Sequence, residues 1–292
     1  MQNQLAQLER KYSELAALRR IVMAINSQID DLDRVVNLIL TSACELLSAD
    51  HGSLMLIQPE LQTLKIVAFA GKDWTAEKQT CSLALGEGIT GRVAVKGQPY
   101  VCPDVTKDPH YYPLFPDILS EVAVPVISQG RILGVINIDS TRMNAFSPAD
   151  CELLQMLADH AAMAIENTRQ FAAAQAARDQ WQQIFDALPD GILVCDEQLI
   201  VLRINQSFLN IFGVAGNSLL GHSAEKILSE TPMLHLRRET WRRLRETGVL
   251  RIRFRDPHTQ RSFQIFGIRT RLGGKTAFLI CFRETTLQRS SP

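Results

Sequence analysis

Apolar residues recur at intervals of three and four at the start of the chain. Leu5, Leu8, Tyr12 and Leu15 keep that spacing, and Leu18, Val22 and Ile25 continue it after a phase slip. One amphipathic helix is predicted over 1–29. A helix of two or three heptads rarely stands alone in water, so it packs on the domain behind it or on a second copy of itself. A second helix is predicted at 31–48. The period then falls to two. HGSLMLIQ and QTLKIVAFAG read as strands around a Pro-containing turn, and SEVAVPVIS and RILGVINIDS as a hairpin through Gln129-Gly130. Both alternating sets of that hairpin are largely apolar, which predicts a sheet covered on both faces, by helices on one and a loop-roofed interior on the other.

The longest helical pattern covers 148–188, with Ser147 as N-cap and Pro148 at the first helical position. Leu154, Leu157, Ala161, Ala164, Thr168 and Phe171 form its first stripe. After a slip, Ala174, Ala177, Trp181, Ile184 and Leu188 form the second. The Ala-rich centre has too little apolar bulk for a core and reads as a helical, coiled connector. After Pro189-Asp190-Gly191 the strands GILVCD and LIVLRIN lead to a short helix near NQSFLNIFG. A basic helix, MLHLRRETWRRLRE, then precedes three strands, VLRIRFRD, RSFQIFGIRTR and KTAFLICFRE.

With 292 residues, about two domains are expected. Basic and acidic residues balance at 31 each, and 46% of residues are hydrophobic, a globular composition. The charge is unevenly spread. Residues 178–292 carry 17 basic and 11 acidic side chains, against 14 and 20 in the first 177, so the two units have different surfaces. No run approaches the roughly 20 apolar residues of a membrane span, and the polar N-terminus has no signal-peptide core. Cysteines at 44, 81, 102, 151, 195 and 281 form no CxxC pair and no metal spacing with histidine. Reduced thiols in a cytoplasmic protein are expected.

GEGITGRVAVKGQPYVCPDVTKDPHY, then SEVAVPVISQGRILGVINIDS, then NAFSPADCELLQMLADHAAMAIENTRQ together resemble the GAF domain, over roughly 16–170. ALPDGILV, Asn205 with Phe208, Phe212-Gly213, Leu220-Gly221 and the closing FRETTLQR resemble the PAS domain, over roughly 178–287. The resemblance implies an α+β fold of two domains, each an antiparallel sheet flanked by helices, joined by a long helix. The organisation expected is an N-terminal helix at 1–15, a GAF-like domain at 16–170, a helical linker at 171–188, a PAS-like domain at 189–287 and a tail at 288–292. GEGITG is formally a G-x-G-x-x-G fingerprint, but Gly97-Gln98-Pro99 ends the following segment after about two turns and no βαβ crossover follows, so no dinucleotide site is expected.

GAF relatives bind cyclic nucleotides, tetrapyrroles, haem or small metabolites, and some reduce free methionine sulfoxide. The cyclic-nucleotide signature is incomplete here, with Phe146 and Asp150 followed by Cys151. A bilin would need a Cys-His pair that the chain lacks. The reductase needs an attacking and a resolving thiol. Thr90 stands where that subfamily carries a cysteine, and residues 104–120 contain none. If a small molecule binds, the loop 104–116 roofs it, with Asp104 and Asp108 accepting hydrogen bonds and Tyr111 and Tyr112 stacking or donating. The alternative is that the two aspartates cap turns and the tyrosines pack the loop. In the PAS-like half no flavin-adduct cysteine is present, and His235 is the one haem candidate. No cofactor is favoured, and no metal ligands are assigned.

Arg251, Arg253 and Arg255 share one strand face and join a helical arginine set. They read as a solvated face, a surface for an acidic partner, or a nucleic-acid contact. The last lacks the interleaved aromatics it needs. No kinase, cyclase or P-loop signature is present, and few residues follow Thr286. The expectation is a sensory signal-transduction protein without its own output enzyme, dimerising through Leu5, Leu8, Leu15, Leu157 and Phe171 and passing its signal to a kinase or regulator. The alternatives are a sensor segment whose histidine kinase or cyclase lies elsewhere, and a thiol reductase.

Overall fold

The computed structural model describes residues 32–214, 219–230, 238–255 and 260–285, and Ala16, Arg19 and Met23 besides. The dimer-helix positions Leu5, Leu8 and Leu15 and the haem candidate His235 lie outside the described residues.

The chain divides into two compact units at Ala174/Gln175. The first opens with α1 (Leu32–Leu47), whose Val35, Val36, Ile39, Leu40, Ala43 and Leu47 are buried along one stripe. Strands β1 (His51–Gln58), β2 (Thr63–Gly71), β3 (Ser82–Ala84), β4 (Tyr100–Cys102), β5 (Ser120–Ser128) and β6 (Arg131–Ser140) form one antiparallel sheet in the order β3-β2-β1-β6-β5-β4, with the one-turn helix α2 (Ala76–Gln79) between β2 and β3. The β5–β6 hairpin turns through Gln129 (φ 49°) and Gly130 (φ 77°), the two positive φ values that a type I′ turn requires. Gly134 on β6 crosses β1 so closely that a Cβ would sit 2.1 Å from the Met55 carbonyl oxygen.

Alternation on β5 and β6 divides the residues between two cores. Leu54, Val122, Val124, Val126, Ile136 and Ile138 face α1 and the start of the long helix α4 (Pro148–Ala187). Met55, Ala123 and Val135 face the opposite side, with Ile89 and Val93 of α3 (Gly88–Lys96) and Phe115 and Ile118 of the roof. The sheet is covered on both faces, as its continuous apolar runs imply. Because every pairing is antiparallel and α3 stops at Gly97 (φ 66°), the glycine-rich turn forms no dinucleotide fold. Helix α4 starts with a reciprocal cap. The Ser147 amide donates to Asp150 Oδ2 at 2.8 Å, and the Asp150 amide to Ser147 Oγ at 3.3 Å.

The first apolar stripe of α4 is not a dimer face. Leu154, Leu157 and Ala161 are wholly buried in their own domain core. Leu157, expected on the dimer helix, is therefore corrected to a core position. Its side chain is already packed against the sheet and cannot reach a second copy. Phe171, about four turns on, is exposed.

The second unit has the sheet order β8-β7-β11-β10-β9, also antiparallel, from β7 (Gly191–Asp196), β8 (Val201–Ile204), β9 (Val249–Arg255), β10 (Ser262–Leu272) and β11 (Lys275–Thr285). Gly273 and Gly274, at φ 57° and 80°, turn the β10–β11 hairpin. Phe208 and Phe212 of α5 (Gln206–Phe212) pack with Phe263, Phe282 and Trp241, the last on α7 (Arg238–Thr247). Between them lies the short α6 (Ala224–Glu230). Asn205 is the polar hub. Its Oδ1 accepts from the amides of Ile192 (2.7 Å) and Phe208 (3.0 Å), and its Nδ2 donates to the carbonyls of Phe185 (3.2 Å) and Asp190 (2.9 Å).

Candidate functional site

The inner face of the first sheet carries its polar residues in two rows. Glu121, Asp139 and His51 lie side by side on β5, β6 and β1, and Ala123, Asn137, Ser53 and Phe69 form the next row. All three members of the first row are buried. The second row orients the first. Ser53 Oγ donates to Asn137 Oδ1, and Asn137 Nδ2 donates to both Asp139 oxygens at 3.3 Å. The Glu121 carboxyl has no hydrogen-bond partner among the described side chains and backbone groups. It faces a cavity of about 40 Å³ that Asp139, Asn137 and Ser53 also line.

The walls are aromatic. Phe115 stacks on the His51 ring at 3.8 Å between centroids, with Trp74 edge-on at 5.2 Å. The Lys78 ammonium lies over the Phe115 ring, 3.8 Å from its centroid. Tyr111, Tyr112, Leu114 and Cys81 complete the rim. Tyr111 anchors the roof through its hydroxyl, which donates to the Phe115 carbonyl at 3.4 Å.

Burial sets the charges. Desolvation pushes Glu121 well above the usual carboxylate range, and the Asp139 charge adds to it. Desolvation likewise raises Asp139, to about 7, against the opposing hydrogen bond from Asn137. Such a pair shares protons, because two carboxylates in one dry site do not both ionise. His51 moves the other way: burial lowers its pKa, and Nδ1 is a buried atom without a hydrogen-bond partner.

The sequence-predicted loop divides. Tyr111 and Tyr112 line the cavity; Asp104 and Asp108 do not. Asp104 caps a 3-10 turn, accepting from the Thr106 amide at 3.1 Å and hydroxyl at 2.6 Å, and pairs with Lys107 at 2.7 Å. Asp108 accepts from the Tyr100 hydroxyl at 2.7 Å and the His110 amide at 2.9 Å. Both carboxylates are spent on local turns. Glu121, Asp139, Asn137 and Ser53 were the missed residues. Their signal in the sequence was a polar set interrupting alternation at the end of one strand and across its neighbours, on the face that the hairpin assigns to the interior.

The second unit offers less. Arg251, Arg253 and Arg283 line the outer sheet face with Gln264 and Phe266. Arg283 is already bound to Asp190 at 2.7 Å, and Arg242 lies between Glu239 (3.4 Å) and Glu246 (3.8 Å). Among the described residues, no group of three or more His, Cys, Asp or Glu is placed to hold a metal ion. No described helix is long and apolar enough to cross a membrane.

Both modules are antiparallel α+β domains, and the first holds a small roofed chamber on the sheet face opposite α1 and α4. The chain carries a GAF domain, matched by that family's model over residues 30–166, followed by a PAS domain, matched over 179–249. It is similar to the free methionine-R-sulfoxide reductase of Saccharomyces cerevisiae, with 35% identity over 101 residues, 34% of this chain and 53% of that protein. It is also similar to GAF domain-containing protein A of Dictyostelium discoideum, with 31% identity over 72 residues, 25% of this chain and 46% of that protein. The chain thus spans about half the length of the curated relatives it matches. Among solved structures, the free methionine-R-sulfoxide reductase of Neisseria meningitidis in complex with its substrate covers 54% of this chain and 90% of its own, at 24% identity and TM-score 0.49. The GAF domain of a Coxiella burnetii phosphoenolpyruvate-protein phosphotransferase covers 56% and 98%, at 26% identity and TM-score 0.49.

Proposed function

We propose that this chain is a cytoplasmic sensory protein whose GAF cavity receives a small ligand bearing an ammonium group, and whose signal passes to a separate kinase or regulator. GAF and PAS domains together support the sensory role. The observation that carries the ligand class is the unpartnered, buried Glu121 carboxyl beside Asp139. A buried acid pair without a cation is costly, and a cation placed between the two carboxyls relieves it. The aromatic wall residues Trp74 and Tyr111 favour the same ligand through cation–π and apolar contact. The yeast relative is a reductase of free methionine-R-sulfoxide, an amino acid that carries such an ammonium.

About 40 Å³ holds one or two waters, so the roof around Tyr111–Phe115 must lift for any amino acid to enter. That displacement is the event a sensor would report. An ammonium binds the ionised pair, so affinity rises with pH through about 7. Thermal-shift and calorimetric titration of the full chain with a panel of amino acids and simple amines tests the reading. Binding that disappears in E121Q and D139N supports it. A panel with no binder, or a binder that both variants hold equally well, overturns it.

A second reading, thiol-based reduction, is favoured by the yeast relative and by Cys81 on the cavity rim. Burial raises the Cys81 thiol pKa, and that of Cys102 to about 11, which leaves little thiolate to attack a sulfoxide. Turnover of free methionine sulfoxide that is lost in C81S would establish the enzyme.

A further inference from the structure

Strand β9 is an edge of the PAS sheet. It pairs with β10, and no described strand lies on its other side. The Arg269 amide donates to the Gly248 carbonyl at 2.7 Å, in the register that runs on without a shift along β9. That bond fixes the phase of the ladder. Leu250, Ile252 and Phe254 turn their amides and carbonyls toward β10, so those of Arg251, Arg253 and Arg255 point away from the sheet. The same three residues put their side chains on the outer face, roughly 7 Å apart along the strand, and all three are exposed. Two acids at this end of the sheet are already matched: Glu284 binds Arg261 at 2.6 Å, and Asp190 binds Arg283 at 2.7 Å. Arg253 and Arg255 have no ion pair among the described residues, and the Arg251 guanidinium has the Phe266 ring, 5.6 Å away.

We propose that the β9 edge takes an extended acidic segment of a partner protein, added to the five-stranded sheet in the same antiparallel sense as its other strands. The backbone of that segment pairs with the outward amides and carbonyls of Arg251, Arg253 and Arg255, and acids at every second position then lie directly opposite the arginines. Apolar residues between those acids land on the inner face beside Ile252 and Phe254, both half-buried there. Charge selects the occupant. A second copy of β9 is excluded, because pairing two such edges sets arginines against arginines. A single-stranded nucleic acid needs open ring faces on which to stack its bases. Phe266 is the aromatic ring beside these arginines, and Arg251 already lies over it. The unmatched cations also follow one edge rather than cross the face. Charged edges guard sheets against indiscriminate pairing, and a strand of opposite charge passes that guard. The proposal is independent of what fills the GAF cavity.

Fluorescence anisotropy of the full chain with a short labelled peptide of alternating Glu and Val tests it. The peptide is expected to bind, and R253E combined with R255E, both at exposed sites, to weaken it at least about 10-fold with the circular dichroism spectrum unchanged. Backbone pairing is tested separately, on the ligand. The same peptide N-methylated at its Glu amides keeps every charge but cannot donate to the edge, and is expected to lose binding. A peptide of alternating Lys and Val is expected not to bind. No binding of the Glu-Val peptide, binding indifferent to R253E/R255E, equal binding of the N-methylated peptide, or tighter binding of an oligothymidylate overturns the proposal.

Discussion

At the scale of the residue, the buried row Glu121–Asp139–His51 governs the pH response of the GAF domain. A carboxyl whose folded pKa lies above its unfolded value favours folding while protonated. That contribution is complete below about pH 4 and is lost as pH rises through the folded value, about 7 for Asp139. His51 acts in the opposite sense only as pH falls, because burial disfavours its charged form. Between about pH 6.5 and 8.5 the carboxyls therefore dominate. The unliganded GAF domain is expected to lose stability across that interval, and D139N to flatten the loss, as urea denaturation at the two limits would show. Asn205 tests the PAS domain in the same way. Asn205→Ala strands two buried amides and two carbonyls, and is expected to cost about 2–4 kcal/mol. A denaturant midpoint close to wild type would mean that water replaces the hub.

At the scale of the element, α4 has one face buried in the GAF core and another left exposed. Leu157 is fully buried among Leu154, Ala158 and Ala161, so Leu157→Ala is expected to cost about 2–5 kcal/mol of GAF-domain stability. Phe171→Ala, at an exposed site, is expected to change it by less than about 0.5 kcal/mol. Chemical denaturation of both variants checks the assignment. Gly134→Ala examines the sheet by steric means. Its Cβ would press on the Met55 carbonyl at 2.1 Å, so β1 and β6 must part or the variant must lose stability.

At the scale of the whole molecule, each domain has its own core, one built on α1, α4 and both faces of the first sheet, the other on Phe208, Trp241 and Phe282. Calorimetry is expected to resolve two transitions, with Leu157→Ala lowering one and Asn205→Ala the other. A single transition moved by both variants would show that the cores unfold together. Which elements form was legible in the sequence where the signal is local. The 3.6 period of α1 and α4, the alternation of β1, β5 and β6, the Gln129-Gly130 turn and the Ser147 cap are each set by neighbouring residues. Short β3 and β4 escaped that reading, since three residues carry too little period and their pairing is long-range. The site escaped for the same reason. Glu121 and Asp139 share one hairpin, but the irregularity at Val126/Ile127 sets their register, and His51 comes from a strand far away in the chain. Asp104 and Asp108 were read either as ligand groups or as turn caps, and the amides they accept from make them caps. The sequence by itself determined the two domain types and the helix that continues from one to the other. The tertiary structure alone decided which stripe of that helix is core and which carboxyls are buried, because burial depends on contacts between distant segments.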